Sequence, residues 1–64
     1  MISYLKDALK AGKSIQIFLK ATTLESVTVK DYLDEGLDYI LVHDTKGNKT
    51  YIDNQSIAMF KILD

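Results

Sequence analysis

The chain contains no cysteine, no proline, no arginine and only one histidine in 64 residues. Without cysteine it can form neither disulfides nor thiolate zinc sites, and one histidine does not make a histidine-rich metal centre. These absences matter because a domain of this length hides only about 60% of the surface its unfolded chain exposes. Small domains make up the difference with disulfides, metals or partner subunits. With the first two excluded, self-association is the expected source of extra stability, and an apolar fraction of 47% suits it. No metal and no cofactor are expected. Residues 1–64 read as a single domain.

The missing arginine narrows the partners. All the cationic side chains are lysines, eight against nine Asp plus Glu, for a formal net charge of −1. Arginine supplies the planar fork that grips phosphate and guanine bidentately. A near-neutral chain without it is a poor candidate for strong, sequence-independent nucleic-acid binding, although local patches remain able to bind. No apolar run approaches the ~20 residues of a membrane span, and no signal-peptide pattern opens the chain. The expectation is a cytoplasmic protein with no membrane contact. The absence of proline goes with the absence of linkers, low-complexity runs and internal repeats.

What is present is one helix followed by about five strand-like segments, the order expected of a small β-barrel with an N-terminal helix. The helix is expected over Ser3 to Ala11. Ser3 suits an N-cap, and Leu5, Ala8 and Leu9 fall at i, i+3 and i+4. Gly12 stands where a left-handed C′ residue belongs, with Lys10 and Lys13 at the negative end of the helix dipole.

From Ser14 the period changes to two. Ile15, Ile17 and Leu19 point one way and Gln16, Phe18 and Lys20 the other, with a turn expected at Ala21, Thr22 and Thr23. Val27 and Val29 share a face opposite Ser26, Thr28 and Lys30. After a reversal at Asp34-Glu35-Gly36, Leu37, Tyr39 and Leu41 alternate with Asp38, Ile40 and Val42. That third strand is apolar on both faces and is therefore expected to be central or covered. Asp44-Thr45-Lys46-Gly47-Asn48 is the clearest hairpin signal. Lys49 to Ile52 makes a fourth strand, Asp53-Asn54-Gln55-Ser56 a single 3₁₀ turn, and Ile57 to Ile62 a fifth strand.

Read together, these segments resemble the Sm-like family and its Hfq-like branch. The run Ile15-Gln16-Ile17-Phe18-Leu19 after the helix looks like that branch's V-x-I-Y-L strand. Val29-Lys30-Asp31-Tyr32 resembles the hydrophobic-x-x-Phe/Tyr step of the first Sm motif. Tyr39-Ile40-Leu41-Val42 looks like the apolar third strand, and Tyr51 to Ile57 has the spacing of the second motif. The resemblance implies a five-stranded antiparallel Sm-like (SH3-like) barrel behind an N-terminal helix. It also implies a cyclic homo-oligomer, a hexamer by analogy, that holds single-stranded RNA. The chain departs from the pattern in two places. Val27 or a neighbour replaces a bend-permitting glycine, and Asp53-Asn54 or Ile52-Asp53 replaces a basic pair that grips uridine-rich RNA.

The RNA-binding residues this reading selects are Tyr39, Tyr51, Asn54, Gln55, Lys6 and Lys10. The tyrosines would stack on bases, at ~1–3 kcal/mol per base, Asn54 and Gln55 would line the polar turn, and the helix lysines would supply charge. Core or interface packing competes for both tyrosines, and burial beneath the helix or against a neighbour is expected for Phe18. His43 lacks a partner suggested by spacing and reads as structural. Asp31, Asp34, Glu35 and Asp38 read as a solvated acidic turn rather than a cation site. No nucleophile–base pair can be assembled, so an enzyme is not expected. Two classes stay open: an RNA-binding ring, and an assembly or interaction module without an RNA site.

Overall fold

The computed structural model describes residues 2–20 and 26–63. The turn expected at Ala21, Thr22 and Thr23 lies outside them. The described chain runs α1 (Ile2–Lys10), β1 (Ser14–Leu19), β2 (Ser26–Glu35), β3 (Tyr39–Asp44), β4 (Lys49–Asp53), a 3₁₀ turn (Asn54–Ser56) and β5 (Ile57–Leu63). The domain is thus mainly β, with one helix in front of five antiparallel strands. The strand order is β4-β3-β2-β1-β5. Among the described residues the sheet is open, not closed by backbone pairing, and its two end strands are β4 and β5. A cleft of about 270 Å³ is lined by Leu19 and Val27 together with Tyr51, Ile52 and Ser56.

The helix begins at Ile2, so Ser3 sits in the first turn and is not the cap. The reason is packing: Ile2 is half-buried against the core, which extends the apolar stripe one turn back from Leu5 and Leu9. The other end follows the sequence. Gly12 has φ +85°, its amide donates to the Leu9 carbonyl at 3.0 Å, and the Lys13 amide donates to Ala8 at 3.1 Å. This pair of bonds is the Schellman closure, and it needs the left-handed residue that glycine provides without steric cost.

Leu5, Ala8 and Leu9 press onto Ile15, Ile17, Val29, Ile40, Val42, Ile52 and Ile57, the residues that form the buried core. Every strand contributes through alternate positions, so one face of the sheet is buried under the helix and the other is left to solvent. The third strand, β3, is internal to the sheet but departs from the expectation of burial on both faces. Only Ile40 and Val42 of β3 are fully buried, while Tyr39 stands 38% exposed on the opposite face. β2 is also longer than its alternation suggested. Its register against β3 slips between Val29 and Asp31 and again between Tyr32 and Asp34. Two bulges bend this strand without any glycine.

The β3–β4 hairpin forms as its sequence indicates, with Gly47 at φ +87°. Asp44 organises it: Oδ1 accepts from the Lys46 amide at 2.9 Å and the Asn48 amide at 2.8 Å. The Asn48 amide above all, joined by that of Lys46, holds the Asp44 carboxyl below its ordinary value. A carboxylate lowered in this way stabilises the folded hairpin above its unfolded-state value, and the contribution is lost as pH falls through the lower folded value. Acidification should therefore lower the hydrogen-exchange protection factors of the Lys46 and Asn48 amides before those of the core amides of β1. Simultaneous loss of protection at both places would contradict this account.

Candidate nucleic-acid interface

The register of β3 and β4 builds the exposed face. Tyr39 pairs with Asp53, Leu41 with Tyr51, and His43 with Lys49, while Ile40, Val42 and Ile52 point into the core. Tyr39, Leu41, His43, Lys49, Tyr51 and Asp53 thus share the side of the sheet away from the core. Leu41 belongs to Tyr39's side, as its spacing requires, but that side is the open one. Leu37 precedes the strand and is 98% exposed.

The two tyrosines meet diagonally across the strand pair. Their ring centroids are 5.6 Å apart with planes tilted by 48°, and Tyr51 is 70% exposed. Tyr39 also covers Gly36, where any Cβ would run into its ring. The Gly36 amide donates to the Tyr39 carbonyl at 2.9 Å, which closes the β2–β3 reversal under that ring. Within the chain, neither tyrosine belongs to the core.

The polar turn lies at one end of this face. Asp53 caps the 3₁₀ turn by accepting from the Gln55 amide at 3.1 Å, and the Asn54 amide donates to the Asp38 carbonyl at 2.7 Å. Among the described residues, the buried Asn54 side-chain Oδ1 has no hydrogen-bond partner. Tyr39, Tyr51, Asn54 and Gln55 are thereby brought to one region, joined by the Tyr39–Asp53 pairing.

The helix lysines are placed elsewhere. Lys6 Nζ lies 3.2 Å from Glu35 Oε1, which also accepts from the Tyr32 hydroxyl at 3.2 Å. Both Lys6 and Lys10 hold their ammonium groups 5.4 Å from the centre of the Tyr32 ring, and Tyr32 packs against the core cluster. The Glu35 hydrogen bond, with its charge, raises the Lys6 ammonium above its ordinary value. Partial desolvation and the bond to Glu35 raise the Tyr32 phenol. These contacts tie the helix to the end of β2 and leave Lys6 already engaged by a carboxylate.

Phe18 lies on the face opposite Ile15 and Ile17, as its alternation requires, and pairs with Ser26 and Met59; of the two covers expected for it, the helix is therefore excluded. The Lys61 ammonium stands 5.6 Å from its ring centre. His43 has a partner that spacing did not suggest, since its Nδ1 is 3.6 Å from Asp31 Oδ2 across β2 and β3. The acidic reversal is dispersed in the same way: Asp31 faces His43, Glu35 holds Lys6, and Asp34 accepts from the Glu35 amide at 2.8 Å. Among the described residues no group of three or more His, Cys, Asp or Glu side chains is placed to hold a metal ion.

Lys49 is the charged neighbour of the tyrosines that sequence reading passed over, and His43, read there as structural, is its cross-strand partner. The signal for Lys49 was available, because it stands two residues from Tyr51 in a strand and so shares its face. His43 needed the β3–β4 register. Among the described residues no helix is long and apolar enough to cross a membrane. Compared with known proteins, the chain matches no family model, no curated protein and no solved structure.

Proposed function

We propose that this chain is an Sm-like, Hfq-like protein that forms a ring by pairing β5 of one copy with β4 of the next, and that the ring binds single-stranded RNA weakly. The observation that carries the reading is the strand order, which leaves β4 and β5 as the two unpaired edges. An exposed edge strand presents a row of free amides and carbonyls that templates pairing with another chain. β5 also carries Met59, Ile62 and Leu63 at 48%, 45% and 38% exposure, an apolar edge of the kind that closed symmetry removes from water. RNA would then meet Tyr39 and Tyr51, with Asn54 and Gln55 at the end of the same face. The assembly module without RNA is the second reading. It is favoured by the Lys6–Glu35 pair and by Asp53 beside Tyr39, which together weaken the attraction to phosphate.

Native mass spectrometry and RNA titration of the same sample test both parts. The expected particle is a closed multiple of the 7.2 kDa chain, six copies by the resemblance, with salt-sensitive binding of uridine-rich or adenosine-rich oligonucleotides. A folded monomer at micromolar concentration would sink the ring. Tyr39→Ala should keep the particle and lose RNA affinity by about the 1–3 kcal/mol of one stacked base. Loss of assembly in that variant would make Tyr39 structural, and an intact particle with no RNA affinity in either protein would leave the assembly module.

A further inference from the structure

Resting on the RNA-binding reading above, we infer that Lys49 is the cation that holds the RNA backbone. The phosphate lies at the hairpin end of the β3–β4 face and the bases stack toward Tyr51 and Tyr39. Stacking alone seldom retains a polyanion, so a productive aromatic platform needs a positive charge beside it. Lys6 and Lys10 do not meet that need, because both lie over Tyr32 and Lys6 is paired with Glu35. Lys61 lies over Phe18, on the far side of the sheet order.

Lys49 does meet it. It is two residues from Tyr51 on the same strand face, about 7 Å along β4, and among the described residues no carboxylate lies within ion-pair distance of it. The charges around the platform also set a direction. The Lys49 ammonium stands at one end, beyond His43 and the Asp31 carboxylate that His43 contacts, and Asp53 pairs with Tyr39 at the other end. A phosphate is attracted to the first end and repelled from the second. The bound strand therefore follows β4 with its backbone near the hairpin and its bases over the tyrosines.

The test is fluorescence anisotropy with labelled single-stranded oligouridine and oligoadenosine RNA, at low and moderate salt, with native mass recorded for each variant. Lys49→Gln should lower affinity roughly tenfold at low salt, the loss of one charge-assisted contact. It should also flatten the salt dependence by about 0.7 in the logarithmic slope for each phosphate contact removed. Lys49→Arg should restore binding, and Lys30→Gln, a matched charge loss on β2, should leave it unchanged. Wild-type affinity and slope in Lys49→Gln would overturn the inference while leaving RNA binding intact, as would a loss that follows Lys6→Gln instead. Wild-type protein that binds neither RNA overturns the RNA reading and this inference with it. Should Lys49→Gln disturb the particle, Asp53→Asn decides: it keeps a cap for the 3₁₀ turn and should raise affinity, and unchanged affinity overturns the proposed direction.

Discussion

Ile17→Ala is expected to unfold the domain. Ile17 is fully buried, lies on β1 between its two neighbouring strands, and faces Val27 on β2 and Phe60 on β5. Truncating such a residue removes its transfer free energy and leaves a cavity, at about 2–5 kcal/mol. A single core in a domain this small rarely supplies more than about 3–5 kcal/mol, and there is no cysteine to add a covalent staple. The loss is therefore comparable with the whole. Circular dichroism during urea titration is the measurement, and a cooperative transition at the wild-type midpoint would refute this account of the core.

The second large effect is expected at the β5 edge, where Ile62→Lys should turn the proposed ring into folded monomers. Ile62 pairs with Ile15 and continues the core-facing row of β5, yet it is 45% exposed in the single chain. In a monomer a lysine there can lay its methylene stem along the sheet and keep its ammonium in water. In a paired edge the same charge would be buried without a partner, a cost of several kcal/mol repeated at every interface. Native mass should fall to that of one 7.2 kDa chain while the far-ultraviolet spectrum stays native. A particle of unchanged mass would remove β5 as the interface. An unfolded variant would show that the edge is part of the domain's own core.

The contrast between these two substitutions separates the parts of the chain that fold the domain from the part proposed to join copies. Ile15 and Ile17 lie under the helix with Leu5 and Leu9, and their burial is settled within one copy. Met59, Ile62 and Leu63 are apolar but only partly covered. In a chain whose self-association is expected from its length and composition, residues of this second kind are where pairing would add most stability.

Period and turn chemistry in the sequence alone determined the helix and its Gly12 closure, the five strands, the Asp44–Asn48 hairpin and the 3₁₀ turn after β4. Each rests on contacts between near neighbours: an amide three or five residues from its carbonyl, a left-handed glycine, an alternation along one strand. Tertiary structure decided what those local rules leave free. It chose which side of β3 faces the core, because Tyr39 and Ile40 are both compatible with burial until the helix covers one face. It bent β2 by bulges at Lys30 and Leu33, which depend on the partner strand's register and have no local signature. It drew Lys6 and Lys10 to Tyr32 and Glu35, and paired His43 with Lys49 across β3 and β4. A side chain's neighbours across a sheet are set by register, and register is a property of the whole packed core.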